Sequence, residues 1–86
     1  MQEVIIDCAE ITCALQLHGE FARSLGFSDW YGSNLDALYD CLTAIGQETR
    51  ICLRNWEVLD QWKKGFACVL ADACEANPRL QVIWEN

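Results

Sequence analysis

WYGSNLDALYDCLTAIG, residues 30–46, is the stretch on which the fold and its use turn. FSDWYGSN (27–34) reads as a loop from its Ser, Asp, Gly and Asn content. Asn34 or Ser33 can cap the helix that follows, which is predicted to reach about Ile45 and stop at Gly46. At about 100° per residue, Leu35, Leu38, Cys41, Leu42 and Ile45 gather on one side and form the core face. Asp36, Tyr39, Asp40, Thr43 and Ala44 share the other side. Asp36 lies in the first turn, where the helix dipole favours an anion by ~0.3–1 kcal/mol. Asp40 lies past that help, and as an i,i+4 like-charge pair with Asp36 it costs ~0.2–0.5 kcal/mol. From Ser24 to Thr49 there are four acids (Asp29, Asp36, Asp40, Glu48) and no Lys or Arg. An exposed acid pair is commonly just a solvated face, and Trp30, Tyr31 or Tyr39 could each be core. Together, however, exposed acids and aromatics have the composition of a binding hot spot.

Outward from this helix the chain alternates strands and helices. EVIID (3–7) suits a short buried strand. Thr12 can cap a helix to about Leu25, with Ala14, Leu17, Phe21 and Leu25 as its core stripe and Gly26 as the left-handed residue that ends it. RICLRNW (50–56) reads as a second strand and EVLDQWKK (57–64) as a short helix or turn. Gly65 would separate that piece from a helix over about Phe66–Ala76, which Asn77-Pro78 terminates. LQVIW (80–84) is a third strand. The order β-α-α-β-α-α-β predicts one α/β domain over 1–86, a three-stranded parallel sheet packed with about four helices and joined by right-handed crossovers.

Composition narrows the function. Hydrophobic residues make up 52% of the 86, enough for one modest core. No run approaches the ~20 apolar residues of a membrane span, and the acidic start MQEVIIDCAEI is unlike a secretory signal, so a cytoplasmic location without membrane attachment is expected. A net charge of −7 argues against nucleic acid, whose phosphates call for Lys and Arg, and favours a basic partner. The six cysteines contain no CxxC and the one histidine is His18, so neither a zinc site nor any other metal or cofactor is expected. Free thiols are predicted, most of them as small buried hydrophobes, with Cys41 the slowest to react.

YGSNLDALYDCLT (31–43) resembles the signature of the barstar family, intracellular inhibitors of barnase-like ribonucleases. Leu17-His18, the loop before Trp30, the strand ending near Trp56 and the terminal helix-turn-strand have counterparts in order and length. The resemblance implies a two-layer barstar-like fold and a non-enzymatic protein that binds one small basic ribonuclease, its carboxylates standing in for RNA phosphates. Carried over by position, Asp40 enters the ribonuclease site at a phosphate position and Asp36 pairs with a base at its rim. Trp30, at a position often Tyr, packs on the catalytic histidine, Tyr39 replaces a Trp at the edge, and Thr43 touches the partner. Tyr31, Gly32, Asn34, Leu35 and Ala44 complete the face, with Asp72, or alternatively Glu75, as the acid from the last helix. Ala44-Ile45 stand where the inhibitor of barnase has Gly-Trp, and no proline precedes the second strand.

Two rival readings use the same residues. Asp36 and Asp40 could hold Mg²⁺ or act as acid and base, but no third ligand is evident. His18 on a helix is more often packed than catalytic. An acidic interaction module, or an immunity protein for a different basic toxin or protein, would show the same fold and the same acidic face.

Overall fold

In the three strands, every second side chain points to one side of the sheet. The computed structural model, which describes residues 1–56 and 61–85, places β1 (Gln2–Asp7), β2 (Thr49–Arg54) and β3 (Leu80–Trp84) in one parallel sheet with β2 central. Val4 pairs with Ile51 and Ile6 with Leu53, and Thr49 pairs with Leu80. All six are buried. Above them lie α1 (Ala14–Leu25), α2 (Leu35–Thr43) and α3 (Gln61–Ala76), which contribute Leu17, Phe21, Leu38, Leu42, Phe66, Leu70 and Ala73 to the same core.

Among the described residues, the opposite face of the sheet carries no helix. There Ile5, Cys52 and Ile83 stand in register across the three strands. On either side of that apolar row, Arg50 reaches Glu3 (3.2 Å) and Gln81 (3.2 Å), and Arg54 reaches Glu85 (3.3 Å). The bases sit on the central strand and the acids on the edges, a cross-strand charge pattern that keeps the uncovered face and its edges polar. The two-layer α/β arrangement expected from the sequence is therefore present.

The helix count differs. Among the described residues there are three helices, because Gln61–Lys64 are the first turn of α3 and Gly65 lies inside it. Residues 57–60 of the expected short helix lie outside the described residues. Gly65 is a packing site: a Cβ there would sit 2.8 Å from Leu35 Cδ1. Leu35 meets α3 near its start, and Asn77, just past the end of α3, donates to Leu42 O and Ile45 O (both 3.0 Å). Thus α2 and α3 lie side by side and run in the same direction.

The helix ends also depart from expectation. Cys13, not Thr12, is the N-cap of α1 and makes no side-chain capping bond. Instead Gln16 Oε1 accepts from the N–H (2.7 Å) and hydroxyl (3.1 Å) of Thr12, the residue before the cap. Gly26 closes α1 in the left-handed region (φ 70°), as its sequence position predicts. In α2, Asn34 Oδ1 accepts from the Ala37 N–H (2.8 Å), so Asn34 is the cap. That helix ends at Thr43, short of Ile45, and Gly46 has no positive φ. Its stop comes from Asn77, which takes the last carbonyls.

All six cysteines are free, but only Cys8 is buried. Cys13 and Cys68 are exposed, and Cys41, Cys52 and Cys74 are half-buried. The expectation of mostly buried thiols fails because Cys13 sits at a helix end, Cys52 on the open face of the sheet and Cys68 on the solvent side of α3. Cys8 is the most buried of the six and Cys41 is only half-buried, and burial pushes both thiols up.

A candidate partner-binding face on α2

The loop before α2 is shaped residue by residue. The Tyr31 N–H donates to Ser28 O (3.0 Å), which closes a turn and leaves Trp30 at its tip, 93% exposed. Asn34 Nδ2 folds back on Gly32 O (3.4 Å), and a Cβ on Gly32 would lie 2.9 Å from that nitrogen, so a side chain there would displace the Asn34 amide. Ser33 takes φ 52°, a left-handed conformation that costs a non-glycine residue of order 1 kcal/mol or more and is found where surrounding structure enforces it. Loop and cap together fix where α2 starts and which way it faces.

On α2, Leu38 and Leu42 are buried, while Asp36, Asp40 and the C-cap Ala44 are exposed. Tyr39 and Thr43 are half-buried between them. The Thr43 hydroxyl donates to Tyr39 O (2.9 Å) and Asp40 O (3.2 Å), so its methyl and oxygen edge are what it offers outward. Tyr39 lines an open groove with Asp72, Glu75 and Ala76 from the last turns of α3. The two candidate acids of α3 therefore flank Tyr39 together, and the groove holds both.

Not every expected contact residue faces outward. Leu35 is half-buried and packs on α3 at Gly65. Tyr31 turns inward: its hydroxyl lies 2.5 Å from His18 Nδ1 and its ring packs on Phe27, with centroids 5.1 Å apart. Burial pushes the Tyr31 pKa up to about 12. His18, only 3% exposed, is a buried partner of the loop, and its own pKa is lowered by that burial. Sequence reading placed His18 on α1 but missed this link. A polar side chain in a core stripe, next to Leu17, was the available signal.

Electrostatics set the face apart. The ion pairs among the described residues are Arg23–Glu20, Arg50–Glu3 and Arg54–Glu85, which lie on α1 and on the open face of the sheet. The Lys63 ammonium lies 5.7 Å and 5.6 Å from the Trp56 and Trp62 ring centroids. Among the described residues no base pairs with Asp36, Asp40, Asp72 or Glu75. Neither is there a group of three or more His, Cys, Asp or Glu side chains arranged to hold a metal ion, and no helix is long and apolar enough to cross a membrane.

A one-sided parallel α/β sheet thus presents a helix whose acids have no paired base among the described residues, preceded by a loop with an outward tryptophan, the composition of a protein-binding hot spot. Comparison with known proteins agrees: the family model described as Barstar (barnase inhibitor) matches residues 1–86, and the chain belongs to the barstar family. It is also similar to a Bacillus subtilis (strain 168) protein named "Putative ribonuclease inhibitor YrdF", with 35% identity over 68 residues, which is 78% of this chain and 75% of that protein.

Proposed function

We propose that this chain inhibits a small basic ribonuclease of the barnase type, in a one-to-one complex in the cytoplasm, and that it does so by occlusion and not by catalysis. The carrying observation is the pair of exposed, unpaired carboxylates Asp36 and Asp40 on a helix fixed at both ends. A ribonuclease site binds phosphates with Arg, Lys and His. A carboxylate can take the same hydrogen bonds, and charge-assisted bonds are about twice as strong as neutral ones. Asp40, mid-helix between Asp36 and Ala44, is the residue that a covering partner desolvates most and stands at the phosphate position. Asp36 pairs nearer the rim. Trp30 stacks on the partner's catalytic histidine, Tyr39 and Thr43 border the contact, and Asp72 with Glu75 receives a base at its edge. Gly32 and Asn34 shape the loop, and Leu35 and Tyr31 hold it from behind.

The test is titration of barnase activity with the purified protein. Loss of RNA cleavage that is complete near one equivalent supports the reading. If barnase keeps its activity and a different basic protein from the native host is retained by the α2 face, the chain is an interaction module or an immunity protein for that partner.

A further inference from the structure

His18 is 3% exposed, and its ring is held between two elements. Phe66 of α3 lies at 4.7 Å between centroids and Tyr31 of the loop at 5.7 Å, with the Tyr31 hydroxyl 2.5 Å from Nδ1. Tyr31 directly follows Trp30, which is 93% exposed. The inward side chains of the loop are Phe27 and Tyr31, so the bond to His18 is a side-chain tie between the loop and the helix layer, beside the backbone bond from the Phe27 N–H to Ala22 O (3.0 Å).

We propose that His18 is a positioning residue of the partner face: as a neutral imidazole it anchors Tyr31 and so presents Trp30, and proton uptake by His18 loosens the loop. This rests on reading the α2 face and its loop as the partner site. With a pKa of about 12, Tyr31 keeps its proton at any physiological pH and can donate it to Nδ1. A neutral imidazole accepts that proton, whereas an imidazolium has two N–H donors and no acceptor. Protonation thus reverses the polarity of the bond, turns the Tyr31 hydroxyl hydrogen away from its acceptor, and puts a charge in a buried site, a desolvation cost that contact with the aromatic rings offsets only in part.

Among the described residues no carboxylate pairs with the His18 ring. On α1, Glu20 is engaged by Arg23. On β1, Asp7 is bonded to Asn55 (2.7 Å) and the neighbouring Cys8 thiol is neutral. On α3, Lys63 lies over the Trp56 and Trp62 rings. In the loop the titratable groups are Asp29 and Tyr31. Burial alone moves the His18 pKa, downward from 6.5. By linkage, proton uptake and loop release favour one another.

The deciding experiment begins on the free protein. Loop amides 27–34 and the Trp30 indole are followed by NMR from pH 8 to pH 5 in wild type, His18→Asn and Tyr31→Phe. Asparagine puts an amide oxygen near the Nδ1 position without a titrating group. Wild-type loop signals should shift with one proton and a midpoint below 6.5. Those of His18→Asn should match the pH 8 wild type throughout, and those of Tyr31→Phe should be displaced at every pH. The second arm measures barnase affinity. At pH 8, His18→Asn should bind within about threefold of wild type and Tyr31→Phe about tenfold more weakly, as expected for loss of one hydrogen bond. At pH 5, His18→Asn should outbind wild type; because the comparison is a ratio, titration of barnase itself cancels. Loop signals unmoved by Tyr31→Phe, or a His18→Asn loop that still titrates like wild type, overturns the proposal. If wild type fails to bind barnase at every pH, the proposed function is wrong, and the free-protein titration still decides the role of His18.

Discussion

Replacing Gly65 with alanine tests the contact that aligns α2 with α3. Two effects oppose each other. Alanine is favoured over glycine in a helix interior by ~1 kcal/mol. Its Cβ, however, would stand 2.8 Å from Leu35 Cδ1, where carbon atoms prefer about 3.5–4.0 Å. Closing that deficit means turning Leu35 off its rotamer, at ~0.5–1.5 kcal/mol, or parting the helices, for which overpacking costs of ~1–3 kcal/mol apply. Leu35 is half-buried and can move, so Gly65→Ala alone should range from about neutral to about 2 kcal/mol destabilised. The pair is more informative. With Leu35→Ala already in place the obstruction is gone, and adding Gly65→Ala should stabilise by ~1 kcal/mol. The interaction energy of the cycle should therefore be about 1–3 kcal/mol in favour of the double variant. Urea unfolding followed by tryptophan fluorescence measures all four corners, provided the m-values agree. Additivity within ~0.3–0.5 kcal/mol would refute the claim that Gly65 is there to admit Leu35.

Asp40→Ala should cost ~2–5 kcal/mol of ribonuclease binding and Asp36→Ala less, because Asp40 loses more water in the complex; calorimetry of each variant checks this, and urea unfolding should find the free Asp40→Ala protein unchanged or slightly more stable, since the like-charge pair is relieved. Asn77→Ala should destabilise by about 2–3 kcal/mol, since Leu42 O and Ile45 O lose a shared donor, one of them buried; the shift in urea midpoint reports it. In native protein, Cys13 and Cys68 should be labelled first by a thiol reagent and Cys8 last, with six thiols counted after unfolding. Because the folded pKa of His18 is lowered, the unfolded chain binds more protons below pH ~6.5; the contribution of His18 is therefore complete above that pH and should decline as pH falls from ~6.5 toward the folded value, visible as a drop in unfolding free energy that His18→Asn lacks.

Much of the fold was legible because period and punctuation agreed. The strands showed as short apolar runs bounded by polar residues, and Gly26 and Asn34 marked helix ends by chemistry that does not depend on tertiary context. The face of α2 followed from its period alone. Gly65 was misread because sequence shows only that glycine weakens a helix, not that a leucine from another helix needs its space. At Gly46 the sequence offers a stop for α2, but the real one, Asn77, is over thirty residues away. Tyr31 resembled its exposed neighbour Trp30 in every sequence feature; only the position of His18 across the loop turns it inward. The cysteines followed their local surfaces, and apolar neighbours in sequence did not make them core.

Asn77 also bears on the thermodynamics of recognition. Nine residues make a helix too short to persist alone in water, where fewer than about 12–15 residues are marginal. Here α2 is finished from outside: its first turn rests on α3 at Gly65, and its last carbonyls are held by a side chain from beyond the end of α3. Fixing a backbone costs roughly 1–2 kcal/mol per residue in entropy, so ordering α2 amounts to on the order of 9–18 kcal/mol. That loss is met when the protein folds, before any partner arrives. Excised as a peptide, residues 30–46 would present the same acids and aromatics and face the whole ordering cost at the moment of contact. Most of this chain, on that account, exists to keep one short helix from having a choice of shape.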